Sequence, residues 1–228
     1  MPHQQSRQLV AMGLSAISVP APGGRVAVVA PHPDDETLGA GATTADLVTR
    51  GFDVEIIIVS DGAASHAHAD LSAIRMIEAS RAADALGVER PVRFRGLPDG
   101  DLVGCEGRLM RSLTSCLAGA SLVIAPRIGD GHPDHEATAV AVTLAIDALP
   151  VDSRPVVWRY AIWAWQGAGL GVDDLESARR WNTSESARRR RALAAGAYVS
   201  QTTDLLGAVI VPPSMVEDVC SADEVFWC

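Results

Sequence analysis

Short apolar runs alternate with longer, helix-patterned segments from residue 25 to about residue 149, and this alternation restricts the chain to few folds. A strand followed by a helix and then another strand favours parallel pairing within one sheet. We therefore predict an α/β fold, a three-layer sandwich in which helices cover both faces of a mostly parallel sheet. The predicted strands are residues 25–30, 54–60, 92–94 and 122–125, and the predicted helices are residues 37–50, 71–86, 108–117 and 133–148.

The last third of the chain is patterned less regularly. Residues 156–165 predict a strand with three tryptophans, residues 167–171 predict a loop, and Thr183 or Ser184 would cap a helix that ends near Tyr198. The length fits one large domain over residues 1–228. We expect a core of about residues 25–150 and an irregular C-terminal extension of about residues 151–228 that covers the functional site.

Two clusters of polar side chains follow predicted strands. Pro31-His32-Pro33-Asp34-Asp35-Glu36 comes directly after the first strand, and His132-Pro133-Asp134-His135 follows the apolar run Leu122-Val123-Ile124-Ala125. Open α/β sheets bind ligands just outside the carboxyl ends of their strands. We therefore expect these clusters to meet, although about a hundred residues separate them.

The residue types in the two clusters suit a catalytic metal ion. His32, Asp35 and His135 would supply two imidazoles and one carboxylate, a set that suits Zn²⁺. Three protein ligands leave a position open for water, whose pKa Zn²⁺ lowers to about 7. The clusters therefore predict a metal hydrolase that cleaves an amide or an ester.

The same clusters offer groups for proton transfer. Adjacent residues of an extended chain point to opposite sides, so one of Asp34 and Asp35 can bind metal while the other acts as general base. One of His132 and His135 can likewise bind metal while the other addresses the substrate. Asp134 would orient His132 and raise its pKa, which would keep His132 protonated to stabilise an oxyanion or a leaving amine.

Simpler interpretations exist for several residues. Asp34 or Asp35 could instead cap the helix that follows them. His66 and His68 fit solvated or hydrogen-bonded loop residues and are left out of the metal site. The four arginines at residues 188–191 indicate a solvated helix face, with a phosphate site as the alternative.

Composition excludes several classes of function. The formal net charge of −9 opposes non-specific binding of nucleic acid, and no apolar run reaches the length of a membrane span, so neither partner is expected. The chain has no Lys, which excludes a Lys nucleophile, and its four Cys lack C-x-x-C spacing. The first twenty residues lack the basic start and apolar core of a signal peptide, so we expect a cytoplasmic protein.

The two polar clusters together resemble the signature of the LmbE-like, or PIG-L, family of zinc-dependent N-deacetylases. Four more segments are similar to elements of this family: Arg75-Met76-Ile77-Glu78, Leu97-Pro98-Asp99-Gly100-Asp101-Leu102, Tyr198-Val199-Ser200-Gln201 and Glu224-Val225-Phe226. The resemblance covers roughly residues 26–226 and implies a Rossmann-like fold.

The resemblance also implies roles for individual residues. The implied site consists of the Zn²⁺ ligands His32, Asp35 and His135, the general base Asp34, and the electrostatic or acid partner His132 with Asp134 to tune it. Arg75 and Asp99 would contact substrate hydroxyls, with a structural ion pair or turn as the alternative. Some family members place a Tyr two residues before the His that matches His132, where this chain has Asp130.

The function implied by the resemblance is zinc-dependent hydrolysis of the N-acetyl group of an N-acetylglucosamine-type sugar or its conjugate. The expected partner is thus a small amino-sugar conjugate, in secondary metabolism, and relatives that assemble as trimers or hexamers make a homo-oligomer a further expectation. One alternative is an amidase for a different acyl amide or a thiol conjugate. The other is a non-catalytic Rossmann-like module that binds a metabolite, although the first strand–helix turn lacks G-x-G-x-x-G.

Strand alternation would place Trp158 and Tyr160 on one side of the sheet and Trp163 and Trp165 on the other. At least one pair should then lie in the core, and the segment could offer a stacking platform for a sugar or an aromatic aglycone.

Overall fold

The computed structural model describes residues 7–18, 23–166 and 170–228. Within these residues, seven strands form a single sheet. The strands are β1 (Arg25–Ala30), β2 (Asp53–Ser60), β3 (Arg93–Leu97), β4 (Leu122–Pro126), β5 (Val156–Tyr160), β6 (Ala178–Arg180) and β7 (Val225–Trp227). Their order across the sheet is β3-β2-β1-β4-β5-β7-β6.

The pairing of the strands confirms a mostly parallel sheet. β1 pairs in parallel with β2 and β4, β2 with β3, and β4 with β5. β7 runs antiparallel to β5 and β6, so the C-terminal part of the chain continues the sheet. The chain moves outward from β1 to β3 and then returns to β4 on the other side, which opens a crevice beyond the carboxyl ends of β1 and β4.

Helices cover both faces of the sheet. They are α1 (Arg7–Met12), α2 (Asp35–Thr49), α3 (Leu71–Leu86), α4 (Glu106–Leu117), α5 (Pro133–Asp147), α6 (Val172–Glu176), α7 (Glu185–Ala195), α8 (Val199–Thr202) and α9 (Pro213–Ser221). Side chains of β1 alternate between the faces, so Val26 and Val28 pack with α2, α3 and α7, and Ala27 and Val29 with α4 and α5. Of the described helices, none has the length and apolarity that crossing a bilayer requires.

Most predicted elements are present, with shifted ends. α3 spans the predicted residues and ends at Gly87, whose φ of 85° is the left-handed conformation that favours glycine. Ser184 caps α7 by accepting the N–H of Ala187 at 3.1 Å, but the helix ends at Ala195 rather than near Tyr198. Residues 167–169 of the predicted loop lie outside the described part of the chain.

The prediction of one strand over residues 156–165 is wrong. β5 ends at Tyr160, and Trp163–Trp165 form a 3₁₀ turn. The buried carboxylate of Asp130 causes the change, because its Oδ1 accepts the N–H groups of Ile162 (2.8 Å) and Ala164 (3.1 Å). Trp158 and Tyr160 therefore lie in the core, as one of the two pairs was expected to do, whereas the segment that carries Trp163 leaves the sheet.

Helix α2 is broken near its middle. Ala40 has φ −147° and ψ 18°, values outside the helical region. The flanking Gly39 lies so close to the ring of Tyr160 that a Cβ at this position would overlap it. The carboxylate of Glu224 accepts the N–H groups of Ala42 (2.9 Å) and Thr43 (2.7 Å), which satisfies donors exposed by the break.

Arg191 completes the break from the opposite side. Its guanidinium donates to the carbonyls of Thr37 (3.2 Å) and Leu38 (2.7 Å), and its Nε lies 3.2 Å from Glu224 Oε1. The expectation that the arginine run is a solvated face is therefore wrong for Arg191, which is 1% exposed. The last residues of the chain thereby fix the first turn of α2.

We expect Glu224→Gln to lower the free energy of unfolding by about 3 kcal/mol, because the substitution leaves the buried Arg191 cation without its carboxylate. Glu185→Gln is the matched control: Glu185 also pairs with an arginine, Arg189, but both side chains are more than three-quarters exposed. Its cost should stay below about 1 kcal/mol. Urea denaturation measures both; equal costs would contradict a supporting role for the pair in α2.

Candidate metal centre and active site

The two polar clusters meet beyond the carboxyl ends of β1 and β4. His32 Nδ1 lies 3.1 Å from Asp35 Oδ2, and His135 Nε2 lies 3.2 Å from the same oxygen. Asp35 is the first residue of α2, and His135 lies in the first turn of α5. The predicted encounter of the clusters is therefore confirmed.

The spacing of these three atoms fits a tetrahedral metal ion. Zn²⁺–nitrogen bonds of about 2.0–2.1 Å place neighbouring ligand atoms roughly 3.3 Å apart in a tetrahedron. The buried Nε2 atom of His135 lies 3.2 Å from Asp35 Oδ2 but makes no well-aligned hydrogen bond with any of the described residues. An unpartnered buried imidazole nitrogen is costly unless something binds it, so the donor set accommodates the ion.

Each candidate imidazole ligand has a carboxylate at its other nitrogen. His135 Nδ1 lies 2.6 Å from Asp130 Oδ2. His32 Nε2 lies 3.1 Å from Asp134 Oδ2 and 3.1 Å from Asp99 Oδ1. Such carboxylates fix the tautomer and the orientation of a metal-binding histidine.

Sequence reasoning missed the role of Asp130. In the sequence, this residue stood out only as the position where some relatives have a Tyr. Its place between Gly129 and Gly131, both with positive φ, marks a tight turn before α5 and is the one available signal.

The expected pairing of Asp134 with His132 is wrong. The carboxylate of Asp134 turns to His32 and accepts the N–H groups of Gly100 (2.8 Å) and Leu102 (3.1 Å). His132 is the N-cap of α5, and its Nδ1 accepts only the backbone N–H of Asp134, at 3.2 Å. Burial and the positive charges of His135 and His32 lower the pKa of His132, so Asp134 does not keep this ring protonated.

Asp34 adopts a backbone conformation that sequence reasoning did not foresee. Its φ is 123°, so the chain is not extended at Asp34, as the sequence-based assignment of Asp34 and Asp35 to opposite sides assumed. The Asp34 side chain makes no capping hydrogen bond; it faces the cavity, where Oδ2 accepts from Arg75 Nη2 at 3.1 Å. Burial, opposed by Arg75, raises the pKa of Asp34 to about 8.

Glu36 supports this conformation. Its Oε2 accepts the N–H of Asp34 at 3.1 Å, and its Oε1 accepts the hydroxyls of Thr37 (2.6 Å) and Tyr198. All four side chains are buried. The strained residue is thus held through its own backbone.

Arg75 and Asp99 line the cavity and also make structural contacts. Arg75 donates to the carbonyls of Pro33 and Gly62, and Asp99 accepts the N–H of Ala64 at 2.9 Å. The two alternatives weighed for these residues are therefore compatible. His66 lies away from the metal ligands, with Nε2 3.0 Å from the carbonyl of Ala208.

A cavity of about 420 Å³ adjoins the candidate ligands. The C-terminal part of the chain supplies Trp163, Gln201, Ile210 and Val211 to its wall, so this part covers the site as expected. The rings of His132 and Trp163 stack with centroids 6.1 Å apart and an angle of 27°.

Comparison with known proteins agrees with this geometry. Residues 27–146, more than half of the chain, match the family described as PIG-L: GlcNAc-PI de-N-acetylase. A Bacillus anthracis protein named "Probable N-acetyl-alpha-D-glucosaminyl L-malate deacetylase 2" is 32% identical over 67% of this chain and 72% of its own length. A Mycolicibacterium gilvum protein named "1D-myo-inositol 2-acetamido-2-deoxy-alpha-D-glucopyranoside deacetylase" is 34% identical over 59% of this chain. The chain spans 58% of the length of that second relative.

Solved structures share the fold. The zinc-inhibited form of teicoplanin deacetylase Orf2 superposes with a TM-score of 0.67 at 21% identity, covering 89% of this chain and 97% of that one. A conserved protein from Thermus thermophilus gives a TM-score of 0.67 at 24% identity, with coverages of 89% and 93%.

Metal affinity should rise steeply with pH. Burial lowers the pKa of His135, but the carboxylates of Asp35 and Asp130 outweigh it and raise that pKa to about 9. Hydrogen bonds to Asp134, Asp35 and Asp99 likewise outweigh burial and hold the pKa of His32 well above its ordinary value. A metal ion must displace these protons, so we expect Zn²⁺ affinity to increase about ten- to hundredfold per unit between about pH 7 and pH 8.5.

Competition with a chelator measures this dependence, and calorimetry in buffers of different ionisation enthalpy counts the protons released. Asp130→Asn is the matched comparison, because His135 then loses a carboxylate that raises its pKa, and the slope should become shallower. An affinity independent of pH would contradict the proton-bearing state of the metal-free site.

Because the backbone at Asp34 is strained, a Gly substitution at this position should give a more stable protein than an Ala substitution, the reverse of the usual order. Both substitutions remove the carboxylate, but only Gly adopts a φ of 123° without strain. We expect Asp34→Gly to be about 1–2 kcal/mol more stable than Asp34→Ala, whereas Ala is ordinarily the more stable of the two. Thermal unfolding of the two variants in parallel decides this, and a more stable Ala variant would show that the backbone is unstrained.

Proposed function

This chain belongs to the PIG-L family, and on that basis we propose that it is a zinc-dependent hydrolase that removes the N-acetyl group from an N-acetylglucosamine-type sugar or its conjugate. One observation carries the proposal: the unpartnered Nε2 of His135 converges with His32 and Asp35 beside a cavity that Asp34 also lines. His32, Asp35 and His135 would hold the Zn²⁺ ion.

When bound, Zn²⁺ lowers the pKa of water and polarises the acetyl carbonyl. Asp34 is the proposed general base. Arg75 binds its Oδ2, which leaves Oδ1 free to accept a proton from the attacking water as the new C–O bond forms. A bound divalent cation would favour the ionised form of Asp34 that this step needs, since a nearby positive charge lowers the pKa of a carboxyl. The protonated carboxyl then releases its proton to the amide nitrogen as the C–N bond breaks. The products are acetate and a free amine.

His132 would stabilise the oxygen that gains negative charge. Because its Nδ1 accepts the N–H of Asp134, the proton of the neutral ring is assigned to Nε2. The ring lines the cavity, where an Nε2–H donor can serve an oxyanion without itself being charged. This role replaces the protonated His132 expected from sequence.

The remaining predictions concern the cellular location, metabolic role and assembly of the protein. A cytoplasmic location, a place in secondary metabolism and a homo-oligomeric state stay predictions, and size-exclusion chromatography with light scattering tests the last of them.

The test is amine release from acetylated amino-sugar conjugates by the zinc-loaded protein. We expect chelation to abolish release, and Asp34→Asn to lower kcat by about 10²- to 10⁴-fold while the bound zinc is retained. Asp101→Asn is the matched control, because Asp101 is exposed and, unlike the adjacent Gly100, does not line the cavity. Full activity in Asp34→Asn would contradict its role, and amine release after metal removal would contradict the reaction.

A further inference from the structure

The lining of the cavity is of two kinds. Carboxylates and imidazoles surround the candidate metal ligands, whereas Leu38, Trp163, Ile210 and Val211 add apolar side chains, with the ring of Trp163 stacked on that of His132. Trp163 and Ile210 are half-buried, so their remaining surface is open to a ligand. A ligand that reaches past the metal ligands therefore meets hydrocarbon and an indole ring.

Apart from a bound metal ion and the histidines, the described lining of the cavity carries one positively charged side chain. Among the described residues that line it, Arg75 is the single arginine, and its side chain is only 4% exposed. The guanidinium already serves Asp34, Pro33 and Gly62, while Asp99 adds a further carboxylate to the wall. Away from the metal ion and His132, an anionic group on a ligand would lose its hydration, meet only the largely occupied guanidinium of Arg75 and face the carboxylates of the wall.

Three further polar groups of the lining already have a hydrogen-bond partner. The N–H of Gly131 donates to Glu136 at 3.2 Å, Ser65 Oγ lies 3.1 Å from His66 Nδ1, and Gln201 Nε2 donates to Ser200 Oγ at 2.9 Å. Two buried polar atoms of the lining have no hydrogen-bond partner among the described residues: the donor Nε of Arg75 and the acceptor Oε1 of Gln201. An acceptor suits a sugar hydroxyl and repels a carboxylate.

We infer that the N-acetyl sugar bound at this site carries an uncharged, apolar aglycone that packs against Trp163 and Ile210. The inference rests on the proposed function and narrows its substrate class. The names of the two relatives share the acetylated glucosamine and differ in the aglycone, malate in one and inositol in the other. We therefore expect this cavity to differ from the cavities of those relatives in the part of its wall that contacts the aglycone.

Further apolar side chains are exposed in the segment before Ile210: Leu205 is 70% and Val209 42% exposed. Backbone N–H groups of Ile210 and Val211 both donate to the carbonyl of Gln201 at 2.9 Å, which anchors this end of the segment. An aromatic or alkyl aglycone that reaches the apolar part of the lining can stack on Trp163.

The experiment compares kcat/KM of the zinc-loaded protein for amine release across α-glycosides of N-acetylglucosamine. The methyl glycoside is the reference, and the phenyl and octyl glycosides, the L-malate conjugate and the inositol conjugate are the test substrates. We expect the phenyl and octyl glycosides to exceed the methyl glycoside by at least about tenfold, and the malate conjugate to fall at or below it.

Variants locate the effect. Trp163→Ala should reduce the phenyl-to-methyl ratio to about one, mainly through KM, whereas Trp163→Phe should retain most of it because an aromatic face remains. Leu193→Ala, an exposed apolar position on α7, is the control and should leave every ratio unchanged. A series of N-acyl groups from acetyl to octanoyl on the methyl glycoside tests whether the apolar wall serves the acyl group instead.

The outcomes separate the two proposals. Amine release from none of these substrates overturns the proposed function. Release that favours the malate or inositol conjugate, that ignores the aglycone, or that increases with acyl length alone overturns the apolar aglycone and leaves the hydrolase in place. A preference for apolar glycosides that disappears in Trp163→Ala and survives in Trp163→Phe supports both.

Discussion

The buried ion pair between Arg191 and Glu224 is the contact on which the candidate site depends. It fills the break in α2, where Glu224 binds the N–H groups that follow the break and Arg191 binds the carbonyls that precede it. Because α2 is broken at Ala40, Asp35 lies on a single helical turn before the break. The C-terminal part of the chain holds that turn in place through the hydrogen bonds of Arg191 to Thr37 and Leu38.

In the candidate site, carboxylates outnumber the imidazoles of His32 and His135 that they surround. Carboxylates lie at both ends of His32 and at both ends of His135, and Arg75 is bound to Asp34. Burial lowers the pKa of each ring, but the surrounding carboxylates outweigh it and raise both pKa values. A divalent cation bound by these rings would therefore compete with protons for them.

Sequence patterns predicted the layers and the meeting of the two clusters, because both follow from alternation and from where parallel strands end. They did not predict the partners of individual side chains. Asp134 adjoins His135 in the chain yet contacts His32, because the first turn of α5 points it toward the segment after β3. The break in α2 is only weakly signalled, by two glycines among residues 39–42 that a helix tolerates at a cost. The tertiary contacts with Tyr160 and Glu224 reveal it.

One carboxylate connects two properties that usually vary independently. Asp130 Oδ2 orients His135, and Asp130 Oδ1 binds the backbone N–H groups of Ile162 and Ala164, on either side of Trp163. The segment that carries Trp163, which would select the aglycone, is therefore held by the same side chain that orients the metal ligand His135. Removal of the Asp130 carboxylate from this chain would release both at once, whereas exchange of the side chain at residue 163 would alter the wall above an unchanged backbone.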